Sequence, residues 1–329
     1  MLDVVGKRGW YFLFSALVIL PGLVSMIIPP GWASLQSGLN PGIDFTSGSV
    51  LQVTFESSVN QDQIQKRMAR LGYPEALVQK IGLRSVFIRT RQLAEVAAGA
   101  ESERERIQKD LEEHVGSIEG ANFDSVSPII AGETVRNAIF AVLAASVFIL
   151  LYIWYAFRRV PKAYRYGVSA ILALVHDVIF VIGVFSILGK TINMEVNSMF
   201  IVGVLIVAGY SVNDTIVVFD RLRENVMRSP DRDFASLVNT SIMETVARSL
   251  NTSFTTLFVL LTLLLMGGPS IRGLLLVVAI GTVVGTYSSI FIASQFLVIW
   301  ERGEIGKVFG RGRRATTSAA TTLLGLFGR

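Results

Sequence analysis

The stretch Asn197–Phe219, NSMFIVGVLIVAGYSVNDTIVVF, decides how the rest of the chain is read. It is long and apolar enough to cross about 30 Å of hydrocarbon, which takes roughly 20 helical residues. Yet it carries a carboxylate, Asp214, inside a polar run from Tyr210 to Thr215. An ionisable side chain costs at least ~2.5–3.5 kcal/mol at mid-membrane, so one kept there marks a functional candidate. The polar run places this part of the helix against protein or water rather than lipid.

Working outward, five more stretches read as spans: Trp10–Ile28, Asn137–Phe157, Val168–Leu188, Ser249–Met266 and Leu274–Ile299. Composition agrees. Of 329 residues 51% are apolar and 17% charged, against about 25% charged in a soluble domain. Mean hydropathy is +0.54. Pro29-Pro30 follows the first span with no small-residue cleavage pattern, so that span reads as an anchor rather than a signal peptide. The absence of Cys excludes disulfides, thiol nucleophiles and Cys-based metal sites, and two histidines, His114 and His176, exclude a His-rich one. No cofactor and no nucleic-acid partner are expected.

Orientation follows the Lys/Arg bias of short loops. Lys7 and Arg8 precede the first span. Arg158, Arg159, Lys162 and Arg165 fill the turn after the second, and Arg221, Arg223, Arg228 and Arg232 follow the fourth. Arg302, Lys307, Arg311, Arg313 and Arg314 follow the sixth, whereas the other side has only Lys190 and Arg272 in its short turns. Six spans put every basic cluster on one side, with both termini in the cytoplasm.

The expected organisation is residues 1–29 for the N-terminus and first span, 30–134 for an extracytoplasmic domain, 135–300 for spans two to six with a cytoplasmic loop 220–247, and 301–329 for a cytoplasmic tail, disordered from residue 315. Segment 30–134 has ten Lys/Arg against fourteen Asp/Glu, a net of −4, but long loops translocate regardless of charge. Its periodicity predicts strands at Ser49–Phe55, Leu77–Ile81, Ser85–Arg89 and Asn122–Val126, and helices at Gln61–Leu71 and Glu101–Val115, with Asn60 as cap and Gly72 as stop. The order βαββαβ is the split, ferredoxin-like motif. Phe234, Leu237, Val238 and Ile242 recur at helical spacing within Pro230–Glu244 and predict an amphipathic helix lying along the interface.

Four ionisable groups fall within or at the edge of the spans: His176 and Asp177 in the third, Asp214 in the fourth, and Arg248 at the entrance of the fifth. At 1.5 Å per residue, Asp214 lies roughly 26 Å from the outer surface and Arg248 roughly 28 Å. An ion pair between them is therefore expected to be possible. Asn213 adds to the polar face of the fourth span, and Asn251, Thr252, Ser253, Thr255 and Thr256 give the fifth a matching one. Gly281 and Gly285 form a small-xxx-small pair that permits close helix approach.

These residues also carry a resemblance. Gly209–Asn225, GYSVNDTIVVFDRLREN, resembles the fourth-span signature of the SecF branch of the SecD/SecF protein-export family, within the RND superfamily. Gly42-Ile-Asp-Phe45 after the first span, Val175-His-Asp-Val178 in the third, Arg248-Ser-Leu-Asn-Thr-Ser253 opening the fifth and Gly285–Ser294 in the sixth agree in order. The resemblance spans about Trp10 to Arg302. It implies half of an RND-type transporter: a membrane all-α bundle of six transmembrane helices with an inserted α+β ferredoxin-like periplasmic domain. The implied partners are SecD, the SecYEG channel and through it SecA, YajC, the unfolded preprotein and the lipid bilayer. The implied site is the bacterial inner membrane, and the implied activity is use of the proton motive force to promote preprotein release on the outer side. It makes Asp214 and Arg248 parts of a proton pathway, with Asn213, Asn251, Asp177 and His176 as further members, and it places a second essential acid on SecD. Gly42, Asp44 and Phe45 form the post-span motif. Two departures stand out: Ser47 occupies a place usually held by Gly, and Gln295 one often held by Pro, which leaves the end of the sixth span straighter.

Other readings fit less well. An exporter of lipid or small molecules normally carries two such six-span halves. An intramembrane hydrolase lacks its motifs, since Ser211 has no Gly-x-Ser-x-Gly context. A passive assembly subunit needs no intramembrane charge. The chain is thus expected to be a transport subunit and not an enzyme.

Overall fold

The computed structural model describes residues 3–28, 38–94 and 102–304. The tail expected to be disordered, and the Pro29-Pro30 pair, lie outside them. The order of elements is α1 Arg8–Ile27, α2 Ile43–Thr46, β1 Gly48–Phe55, α3 Gln61–Arg70, β2 Leu77–Ile81, β3 Ser85–Thr90, α4 Glu103–His114, β4 Ile118–Val126, α5 Pro128–Ala156, α6 Tyr164–Ile192, α7 Ser198–Arg228, α8 Phe234–Met266, α9 Pro269–Ser288 and α10 Ser294–Glu301. Asn40–Phe140 and Glu195–Ser198 form one compact unit, and the rest of the described chain forms another.

The first unit is built on a four-stranded antiparallel sheet of order β2-β3-β1-β4. Together with α3 and α4 this is the ferredoxin-like arrangement that the alternation predicted. Leu51, Val53 and Phe55 of β1 and Val86 and Ile88 of β3 share one face and are buried against Ile64, Met68, Ile107 and Leu111 of the two helices. Local chemistry starts those helices. The Asn60 side chain accepts from Asp62 N, and Ser102 forms a reciprocal capping box with Glu105. Ser47 adopts φ +63°, a left-handed conformation uncommon for a residue with a Cβ, directly before Gly48 at φ +114°. Serine thus takes here a conformation that glycine adopts more readily.

The second unit is an all-α bundle. Among the described residues, six helices are long and apolar enough to cross a membrane: α1, α5, α6, α7, α8 and the α9–α10 segment Ile271–Glu301. Two glycine contacts set their spacing. Gly22 of α1 faces Gly183 of α6 so closely that a Cβ on Gly22 would lie 2.7 Å from the Gly183 Cα. A Cβ on Gly281 of α9 would collide with Val207 of α7, so the small-residue pair brings these helices together. Between α9 and α10, Ser289–Ala293 form a π-helical turn, a distortion that Gln295 alone did not forecast. Gln295 continues the helix and is fully buried.

One expectation is corrected. Pro230–Glu244 does not hold a separate interfacial helix. Asp233 caps a single 33-residue helix, α8, that runs without a break into the fifth span. Leu237, Val238 and Ile242 are buried in the bundle core with Phe157, Tyr166, Phe219 and Leu222. No Gly or Pro interrupts Phe234–Met266, and protein rather than lipid covers the apolar stripe. The basic turns do gather at one end of the bundle. Arg8 meets Glu304 at 2.8 Å, Lys162 meets Glu301 at 3.0 Å and Arg302 meets Asp233 at 3.3 Å.

Candidate functional site in the span bundle

Among the described residues of the second unit, two buried carboxylates differ in their partners. Asp177 of α6 is fully buried. Its Oδ2 accepts from Ser211 Oγ of α7 at 2.6 Å and from Ser288 Oγ of α9 at 2.7 Å. Its Oδ1 lies 2.9 Å from His176 Nδ1, and His176 Nε2 lies 2.5 Å from Ser15 Oγ of α1. The carboxylate therefore links α6, α7 and α9 directly and α1 through His176. A buried charge is tolerated when such partners replace water.

Asp214 is 5% exposed, one turn along α7 from Ser211. The hydroxyls of Ser249 on α8 and Thr286 on α9 approach its carboxyl, but neither closes a hydrogen bond of good geometry with it. Asp214 Oδ2 and Ser249 Oγ both have no hydrogen-bond partner among the described residues. Around them run hydroxyls that do bond: Tyr210 OH donates to Ser253 Oγ at 3.3 Å, Ser253 Oγ lies 2.5 Å from Thr286 Oγ1, and Thr215 Oγ1 lies 2.9 Å from Ser289 Oγ. Chemically the two acids are unequal. Protonating Asp177 breaks a closed network, whereas protonating Asp214 at Oδ2 breaks no bond.

Arg248 does not meet Asp214. It is exposed and forms no ion pair among the described residues. Depth along a helix leaves its azimuth open. Adjacent residues point about 100° apart, and it is Ser249, 1% exposed, that faces inward. Asn213 and Asn251 are exposed as well. The predicted pathway residues thus fall into an interior set, Asp214 and Asp177 with half-buried His176, and an outward set, Asn213, Arg248 and Asn251. Residue charge alone did not single out Ser15, Ser211, Ser249, Thr286 and Ser288. Their signal is hydroxyls three or four residues apart, as in Ser211/Thr215 and Thr282/Thr286.

The motif Gly42–Phe45 lies in the first unit. Its short helix α2 is followed directly by β1. Gly42 N donates to Val196 O at 2.7 Å, and Val196 N donates to Asn40 O at 2.8 Å. Asp44 Oδ2 accepts from Ser198 N at 2.7 Å. Arg89 of β3 donates to Pro41 O at 2.8 Å and lies 3.7 Å from Glu195 Oε1. Burial pushes the Glu195 carboxyl above the usual range, with Arg89 opposing and Asp44 adding to the shift.

Comparison with known proteins places this geometry. Residues 106–303 match the family described as protein export membrane protein SecD/SecF, C-terminal, and residues 32–59 match the SecD/SecF GG motif. The chain is 39% identical to the protein translocase subunit SecF of Thermobaculum terrenum, over 98% of this chain and 100% of that one. It is 37% identical to that of Anaerolinea thermophila, over 97% and 100%. A crystal structure of SecDF, a translocon-associated membrane protein from Thermus thermophilus, superposes with a TM-score of 0.76 at 31% identity. That match covers 92% of this chain and 39% of the SecDF chain.

Proposed function

Since this chain belongs to the SecD/SecF family of protein-export membrane proteins, as its full-length likeness to SecF subunits requires, we propose that it is the SecF half of a proton-driven accessory complex. It acts with SecD at the SecYEG channel, downstream of SecA and alongside YajC, and promotes release of unfolded preprotein on the outer side of a bacterial inner membrane. Both termini are cytoplasmic, on the side of the clustered basic turns. The sheet unit is periplasmic.

The observation that supports this most is Asp214: a buried carboxyl with one oxygen unpartnered, on a span of the protein. In this reading Asp214 takes up and gives off a proton. The outward residues Asn213, Arg248 and Asn251 face the spans of SecD, which supply the second acid and complete the path. Asp177 and His176 stay a fixed framework beside it. The complex moves substrate and does no hydrolysis. The SecDF likeness supports SecD as partner, because one chain there spans what this chain covers at 39% of its length.

The test is Asp214→Asn, reconstituted with SecD and the channel in vesicles. Gradient-stimulated export should fall to the level seen without a gradient. Stimulation at the wild-type level would contradict the assignment.

A further inference from the structure

A proton path through Asp214 leaves the motif Gly42–Phe45 without a role, and the sheet unit supplies one. The first N–H groups of a helix have no intrahelical partner. An Asp that accepts from one of them stabilises the helix start through both the hydrogen bond and the dipole. Here the carboxylate that meets Ser198 N, the first amide of α7, comes from Asp44, 154 residues earlier in the chain. It does not act alone. The backbone of Gly42 and Asn40 brackets Val196 with two hydrogen bonds of 2.7 and 2.8 Å. Pro41 and Val196 pair as a parallel bridge. Arg89, anchored in the central part of the sheet, reaches both sides of the joint, donating to Pro41 O and facing Glu195. Gly42 sits close against the joint: a Cβ there would lie 3.3 Å from Glu195 Oε2 and Val196 O, tighter than an ordinary contact. The four residues before the body of α7 are thus held by the sheet unit as if they were its own.

We infer that Asp44 is a positioning residue for transport, clipping the start of α7 to the sheet unit so that the helix bearing Asp214 is gripped where it begins. The inference rests on Asp214 being the proton carrier. It requires that loosening the clip uncouples export from the gradient while the sheet and the bundle stay folded.

The experiment uses the full chain reconstituted with SecD and the channel, comparing Asp44→Ala, Asp44→Asn and Asp214→Asn. Two readouts are taken: gradient-stimulated export, and hydrogen exchange at Ser198 and the next amides of α7. Loss of a cap makes the first turn open about five-fold more often. Asp44→Ala should therefore exchange about five-fold faster there and lose most of its gradient stimulation, with Val53 and Ile88 of the sheet still protected. Asp44→Asn should restore both, because an amide oxygen caps nearly as well as a carboxylate. Wild-type behaviour of Asp44→Ala in either readout overturns the inference. So does an Asp44→Asn variant as impaired as Ala, or a sheet that loses protection in Asp44→Ala. If Asp214→Asn keeps its stimulation, the proton reading fails instead, and the exchange readout alone then decides whether Asp44 holds α7.

Discussion

Asp177 and Asp214 are the same residue type on neighbouring helices, and their surroundings divide their roles. Removing the Asp177 carboxylate strands His176 Nδ1 and the Ser211 hydroxyl and leaves Ser288 Oγ only its 3.2 Å hydrogen bond to Gly285 O, and each buried group left unsatisfied costs about 1–3 kcal/mol. Asp177→Ala should therefore lower the stability of the chain in detergent by roughly 3 kcal/mol or more. Asp214→Asn should change it by less than about 1 kcal/mol, because no donor is lost at Oδ2. Thermal unfolding of both variants checks this, and the reverse order would contradict the division of roles. Arg248→Ala should leave stability within about 0.5 kcal/mol, as for an ordinary surface position, yet reduce export. Both acids were legible in the sequence because a charge stands out in an apolar run. The separation of Arg248 from Asp214 was not, because a rise per residue gives depth and leaves open which way a side chain points. Ser211 lies in the polar run the sequence marks, but Ser15, Ser249 and Ser288 do not stand out, because hydroxyls are cheap in membrane helices, where they can bond their own backbone, as Thr252 does to Arg248 O.

Among the elements, the spans and strands follow from period and length, and the departures follow from packing. The strands of the sheet unit appear within a few residues of where alternation placed them, apart from β4, which begins at Ile118 where Gly120 and Ala121 obscure the pattern. Helical spacing predicts an interfacial position for the apolar stripe Leu237, Val238, Ile242, because hydropathy does not distinguish a lipid neighbour from the protein one it has. Close helix approach is testable at Gly22. Gly22→Val drives a side chain into Gly183, and overpacking of this kind costs about 1–3 kcal/mol. A variant as stable as the wild type would show that α1 and α6 do not pack through this contact. In the sheet unit, Arg67 hydrogen-bonds Asp110 and so joins α3 to α4, holding the Asp110 carboxyl below its usual range. A carboxyl lowered in the folded state adds stability that is complete above its unfolded value of about 3.9 and is lost as pH falls through the folded value. Hydrogen exchange of β1 amides should accordingly quicken, relative to the intrinsic rate, below about pH 4. Arg67→Gln should remove that dependence.

At the scale of the molecule, six spans, an even count, bring both ends to one side, and the ion pairs Arg8–Glu304 and Lys162–Glu301 tie the basic turns together there. Because the chain has no Cys, single-cysteine labelling reports its orientation directly. In right-side-out vesicles an impermeant thiol reagent should label Leu83→Cys in the sheet unit and spare Arg159→Cys in the turn after α5. The opposite pattern would invert the topology. The polar residues Asn213, Arg248 and Asn251 are exposed on the bundle of this chain, and the proposed function sets the spans of SecD against them. The proposed function rests on Asp214 and stands or falls on passage of a proton through this carboxyl. The direct measurement is proton flux into vesicles holding this chain and SecD, followed with a trapped pH-sensitive dye under an imposed gradient. Wild-type vesicles should acidify faster than vesicles holding Asp214→Asn, whose rate should match that of empty ones. Equal flux through wild type and Asp214→Asn would contradict the account.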